Sequence, residues 1–417
     1  MISFEKFSVE NGLRVIVQRD KTTPLVTVNL LYDVGAKDED PDKTGFAHLF
    51  EHLMFGGSLN IPQYDRHVQD SGGEHNAFTN NDITDYYINL PRENVETAFW
   101  LESDRMLQLA FSDKSLEVQR NVVIEEYKQR YLNQPYGDSW LLLRPLAYKV
   151  HPYQWATIGK DISHIEKASM HDVKDFFYSH YAPNNAILSV IGNVSTEDIK
   201  KLTEKWFGPI EKRGINRRNL PSEPIQTEER RQAVYRDVPF DSVYKAYHIC
   251  KRTDPVYYTC DLISDILSNG KSSRFYQELV MKRNLFTELF AYLTGDIDEG
   301  LLIINGKLVQ GVCMEEAENA INEETEKLKI QPVSDYELQK VKNKVESAIQ
   351  LSETNALNKA ISLAYHELLG DAANINSEAT RYLAVTAEQI KNTSCSVFSK
   401  ENCSTLHYLS GKNRNQN

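Results

Sequence analysis

Residues 44–55 constrain this chain more than any other stretch: Thr44-Gly45-Phe46-Ala47-His48-Leu49-Phe50-Glu51-His52-Leu53-Met54-Phe55. Thr44 suits an N-cap and Gly56-Gly57 a stop, so the segment reads as a short helix. On a helix, residues i, i+3 and i+4 share a face, which groups His48, Glu51 and His52. Phe46, Leu49, Phe50, Leu53 and Met54 cover most of the remainder. So apolar a helix with a single polar stripe belongs in an interior, where polar groups need partners.

Two imidazoles one turn apart can share a tetrahedral Zn2+. The carboxylate at i+3 then stands where it can take a proton from a water on the metal. H-x-x-E-H reverses the commoner zinc helix H-E-x-x-H and is the inverzincin order. A core helix whose histidines and glutamate bond only one another fits the same pattern. A catalytic zinc needs a third protein ligand and an open position. Residues 115–131 predict a helix, with Gln119, Val122, Val123, Glu126 and Tyr127 on its buriable side. Glu125 instead shares a face with Val118, Asn121, Lys128 and Gln129. Glu126 is therefore the inward carboxylate and the candidate third ligand.

His48-x-x-Glu51-His52, a later glutamate at 126, and Gly72-Gly73-Glu74-His75-Asn76-Ala77-Phe78-Thr79 between them resemble the pitrilysin/insulinase family of zinc peptidases. Length and layout are similar to its smaller, mitochondrial-processing-peptidase-like branch. Further echoes are His180-Tyr181-Ala182-Pro183-Asn184-Asn185-Ala186, running towards Gly192, and Ser272-Ser273-Arg274-Phe275-Tyr276. The resemblance spans essentially the whole chain and is stronger in its first half. It implies His48, His52 and Glu126 as zinc ligands, one Zn2+ per chain, Glu51 as catalytic base, and Asn76, Ala77, Phe78 and Thr79 as a substrate-pairing strand. His67 and His75 read as structural or surface residues.

With 417 residues, 41% of them hydrophobic and 25% charged, the chain is globular and long enough for two or three domains. A net charge of −12 argues against general nucleic-acid binding. No apolar run is long enough to span a membrane. Met1 to Lys6 has no apolar leader core, which points to a cytoplasmic protein. Five scattered cysteines, none in Cys-x-x-Cys, read as reduced thiols.

Strands are expected around Leu13 to Val17 and Val26 to Leu30, with a turn at Asn11-Gly12. Residues 64–71 read as a helix, and 76–90 as two strands around a turn at 79–82. Such a strand can be an open edge, where an extended peptide docks by backbone pairing; it can equally be an inner strand. Helices at 94–111, 173–178 and 196–206 and a strand at 186–192 complete the first half. Residues 211–231, rich in Lys, Arg, Asn, Pro and Glu, read as a solvated linker that includes Arg217-Arg218 and Arg230-Arg231.

The second half repeats the plan. Strands at 233–238 and 243–249 precede a helix at 257–267. A helix at 274–282, strands at 286–293 and 301–308, and helices at 314–327, 335–353 and 356–369 follow. Cys260 to Ile266, at the place of the metal helix, has no ligand set. Asp265 replaces the first glycine of a Walker loop that Gly270-Lys271-Ser272 would end. The expected fold is α+β: two homologous lobes, each a mainly antiparallel sheet covered by helices, forming half of a clamshell. Residues 1–210 are the zinc-bearing lobe, 211–231 the linker and 232–417 the metal-free lobe.

Two departures qualify the resemblance. Gln119 stands seven before the third ligand, where active single-chain relatives carry an acid that supports the site. Val280 and Thr287 stand where they carry an Arg and a Tyr; Arg274, Tyr276, Arg283 and Tyr292 are out of register. The implied protein is a zinc endopeptidase acting on peptides or small unfolded polypeptides. It would need a family-related partner subunit, or a second copy, to supply the Arg and Tyr. A structural or peptide-binding subunit that kept the metal helix is the competing reading.

Overall fold

The computed structural model describes residues 1–215 and 219–411. Arg217-Arg218 therefore lies outside the described residues. Two sheets organise the chain, each in its own compact unit.

The first sheet has six strands: β1 (Glu5–Ser8), β2 (Arg14–Arg19), β3 (Leu25–Tyr32), β4 (Glu74–Thr79), β5 (Thr84–Pro91) and β6 (Ala186–Gly192), in the order β1-β2-β6-β3-β5-β4. Only β2 and β6 run parallel. β3 and β6 are buried along almost their whole length, as their continuous apolar runs require. The second sheet comprises β7 (Arg230–Arg236), β8 (Ser242–His248), β9 (Phe286–Leu293), β10 (Leu301–Leu308) and β11 (Cys403–Ser410), ordered β7-β11-β8-β10-β9. It repeats β2-β6-β3-β5-β4 strand for strand, down to the single parallel pair, here β7 with β11. The duplication expected from the sequence is thus written in the topology.

The path between the units differs from the expected single crossing. Gln129–Gln154 belongs with the second unit, and Gln350–Ser377 returns to the first. The helix Ala356–Leu368, expected to close the second lobe, buries Ala360, Leu363 and Ala364 with Ile16 and Leu31 of the first sheet and Ile187 and Ile191 of β6. Lys359 Nζ meets Asp20 Oδ2 at 3.0 Å there. The expected linker is also shorter. Arg230-Arg231 opens β7, and Arg231 bonds Glu318 at 2.5 Å and Glu229 at 2.9 Å. Helices Ser139–Ala147, Glu378–Leu383 and Ala387–Val397, and strand β11, have no counterpart in the sequence reading.

Candidate metal centre

The helix α1 (Phe46–Leu53) starts two residues after Thr44. Gly45, at φ +88°, makes the entry; a Cβ there would lie 2.7 Å from the Ile158 carbonyl oxygen. Thr44 does not cap the helix. Its hydroxyl meets His164 Nδ1 at 2.9 Å and accepts from Lys160 N at 3.0 Å. The helix N-terminus is instead held by Glu39, a fully buried carboxylate that accepts from Gly45 N (2.9 Å) and Ala47 N (2.8 Å). Burial pushes Glu39 up to about 8, against the downward pull of those two bonds. Glu39 lies in what the sequence presents only as an acidic loop.

Along α1, Phe46, Ala47, Leu49, Phe50 and Leu53 are buried while His48, Glu51 and His52 are half-buried. The apolar stripe thus anchors the helix and leaves the polar stripe facing outward from that core. The helices α2 (Tyr64–Asp70), α3 (Val95–Leu107) and α4 (Asp113–Tyr127) follow. Ser112 caps α4 by accepting from Ser115 N at 3.0 Å. Glu126, on the last turn of α4, meets the stripe. Its Oε2 lies 3.7 Å from His48 Nε2 and 3.4 Å from His52 Nε2. The two imidazoles stand edge to face with centroids 4.9 Å apart. Glu125 points to solvent and pairs with Lys128 at 2.7 Å. The inward side of α4 is narrower than expected: Val123 and Tyr127 are buried, but Val122 is 44% exposed.

These distances test whether the donor set fits a metal. Separations of 3.4 and 3.7 Å exceed an ordinary N–H···O bond. Tetrahedral ligands at about 2.0–2.1 Å from zinc sit roughly 3.3–3.4 Å from one another, so the spacing suits a shared ion. All three donor atoms lie within 4.8 Å of one another, the only such group among the described residues. Two neutral imidazoles and one carboxylate are also the donor types zinc takes in hydrolytic sites. The residues fit the group.

Beneath α1, burial above all pushes up the phenols of Tyr86 and Tyr181, and the charge of Glu51 adds to it. The base candidate therefore sits within electrostatic reach of a dry aromatic floor. That floor holds a buried ion pair the sequence reading missed: Arg105 Nε and Nη2 donate to Glu102 at 2.8 and 2.6 Å, and Tyr64 OH donates to Glu102 at 2.8 Å. The Arg105 guanidinium also lies 4.2 Å from the Tyr86 ring centroid. An i, i+3 Glu/Arg pair on an otherwise apolar helix face was the available signal.

Among the described residues, β4 is the last strand of its sheet and pairs with β5 alone. Asn76 is exposed and Ala77, Phe78 and Thr79 are half-buried along that edge. His75 bonds Asp65 at 3.1 Å and stacks on Phe55 at 5.0 Å, and His67 packs on Trp100 at 4.9 Å, both structural contacts.

In the second unit, Val280 packs against the core and Thr287 Oγ1 donates to the Lys307 carbonyl at 3.2 Å. The out-of-register arginines are engaged: Arg274 forks onto Glu337 (2.9 and 2.7 Å) and Arg283 meets Glu323 at 2.6 Å. Near Glu126, Gln119 is half-buried and Glu117 is exposed.

Among the described residues, fold and site together define an α+β protein with two units of duplicated topology and a metal-capable donor set in the first. The chain belongs to the M16 (insulinase) family of peptidases. Residues 14–137 match the model described as insulinase (peptidase family M16), and 167–345 match the one described as peptidase M16 inactive domain. It is 31% identical to the zinc protease PqqE of Helicobacter pylori over 348 residues, 81% of this chain and 77% of that one. The crystal structure of a protease from Helicobacter pylori superposes with a TM-score of 0.92 at 27% identity, covering 98% of this chain and 100% of that one. A probable mitochondrial-processing peptidase subunit beta of Schizosaccharomyces pombe is 25% identical over 71% of this chain and 67% of its own length. The family is therefore established, whereas the narrower processing-peptidase-like branch is not what these relatives single out. No helix among the described residues is long and apolar enough to cross a membrane.

Proposed function

We propose that the chain is a zinc metalloendopeptidase in which His48, His52 and Glu126 hold one Zn2+ and Glu51 is the general base. The observation that carries this reading is the triangle of donors from α1 and α4, spaced as the ligands of a shared ion are. Bound zinc supplies Lewis acidity, polarising a scissile carbonyl and making water a nucleophile near neutral pH. Glu51 shares the helical face of both imidazoles. It takes the proton of the attacking water and returns it to the leaving amine. The exposed edge of β4, at Asn76 to Thr79, aligns an extended substrate by backbone pairing, which favours peptides or small unfolded polypeptides over folded proteins.

The Arg and Tyr positions of the family resemblance, which would supply donors for the developing oxyanion, hold Val280 and Thr287 in this chain. Val280 offers none, Thr287 is committed to a backbone carbonyl, and Arg274 and Arg283 are held by carboxylates. We therefore assign the chain as the zinc-bearing member of a two-subunit peptidase, similar to the processing-peptidase arrangement. A related subunit, or a second copy of this chain, would complete the site. The scattered, odd complement of cysteines supports a reducing, cytoplasmic setting.

The test is peptide cleavage by the purified chain with and without chelator, alone and with a family relative carrying the Arg and Tyr. Chelator-sensitive cleavage that rises when the relative is added is expected. Cleavage unchanged by chelator refutes the zinc assignment. Zinc-dependent cleavage that the partner does not raise refutes the two-subunit assignment. Bound zinc without cleavage in either setting favours a structural or peptide-binding subunit.

A further inference from the structure

The second unit carries a chemistry-bearing pair that the peptidase reading does not use. Cys250 lies just beyond β8, and Cys260 lies on the helix Tyr257–Ser268 that follows. Both line one cavity of about 330 Å³, together with His248, Glu299 and Asn402. Cys260 is buried in the core of the unit, and Cys250 packs against that core half-exposed. We propose that Cys250 and Cys260 form a reversible dithiol–disulfide couple, a redox modification site reached through this cavity by small disulfides.

The two thiols are not equivalent. The hydrogen bond from Cys260 holds Cys250 below the usual thiol range, although burial pulls the other way. Cys260 is pushed up by that same bond and by burial. Thiolate character and access together mark the attacking sulfur. Cys250 is therefore the nucleophile and Cys260 the resolving thiol. The Cys250 thiolate attacks one sulfur of a small disulfide, the disulfide bond breaks, and one thiolate leaves. Cys260 then loses its proton to solvent and attacks Cys250 sulfur in the mixed disulfide, expelling the second thiolate. The protein is oxidised by two electrons and the small disulfide is reduced to two thiols. The new bond closes the loop 250–260, which joins β8 to its helix. The other cysteines lack this arrangement: Cys313 and Cys395 are exposed and Cys403 is buried away from the cavity lining.

The experiment incubates the whole chain with oxidised glutathione, alkylates remaining thiols, and maps the peptides by mass spectrometry. A Cys250–Cys260 crosslink is expected, with a loss of about 2 Da per crosslink that a dithiol reductant reverses. Cys260→Ser should trap glutathione on Cys250, and Cys250→Ser should give neither adduct nor crosslink at the cavity. Circular dichroism confirms that each variant is folded, and Cys260→Ala replaces the serine variant if it is not. Adducts confined to Cys313 and Cys395, with Cys250 and Cys260 both alkylated, would overturn the proposal. So would a folded Cys260 variant that accumulates no adduct at Cys250. Neither readout depends on peptidase activity.

Discussion

Helix α1 and the helix Tyr257–Ser268 occupy the same place in the repeated topology, between the second and third of the five shared strands in chain order, yet they solve burial differently. Both carry polar groups on an apolar helix. In the second unit each is matched locally: Tyr382 OH donates to Asp261 at 2.6 Å and Asn269 Nδ2 to Asp265 at 2.5 Å. In the first, two imidazoles face a carboxylate at 3.4 and 3.7 Å, a separation that suits ligands of a shared ion. One duplicated frame therefore carries a core helix whose carboxylates pair locally and a helix whose imidazoles stand with a carboxylate at metal-ligand spacing.

Removing the base should have the largest effect. Glu51→Gln is expected to keep zinc while turnover falls by about 10²–10⁴-fold, read from kcat beside metal content. Glu126→Ala comes next. It should lose zinc by more than the roughly 10–100-fold that removing a supporting residue costs, measured by competition with a chelator. The opposite helix should respond only in stability. Ile263→Ala, at a fully buried position, is expected to cost about 2–5 kcal/mol in denaturant unfolding with zinc affinity unchanged. Glu39→Ala links the two properties. Loss of the buried cap should cost about 1–3 kcal/mol and weaken zinc binding, because α1 loses its N-terminal anchor.

The smallest expected effect is a pH dependence in the second unit. Burial, then the neighbouring Asp261 charge, pushes Asp265 up to about 6. A carboxyl raised in the folded state adds stability fully present below its unfolded value, and that stability is lost as pH rises through the folded one. Asp265→Asn should therefore raise the melting temperature relative to wild type more above about pH 7 than near pH 4. An equal shift at both pH values would remove the contrast between the two helices' polar groups.

The local periodic features were legible in the sequence. β6, β9 and β10 and the helix Thr196–Trp206 fall where their patterns put them. The choice of Glu126 over Glu125 followed from helical phase alone, and the structure brings Glu126 to the imidazoles. What depends on distant partners was not legible. Glu39 reads as one acid in a polar loop until tertiary packing buries it beneath α1. β11 is buried along nearly its whole length, but Ser404, Thr405 and Ser410 blur its apolar signal. The helix Ala356–Leu368 shows an apolar face in sequence without showing which sheet that face will cover. Arg105 and Glu102 are hidden for a related reason: composition suggests exposure, and only the aromatic surround makes the pair a floor.

Crystals of the zinc-loaded protein, with anomalous scattering recorded at the zinc edge, test the central claim most directly. The account predicts one peak in the first unit, about 2.0–2.2 Å from His48 Nε2, His52 Nε2 and a Glu126 carboxylate oxygen. A peak that excludes Glu126, or zinc bound elsewhere with these three side chains uncoordinated, would contradict it.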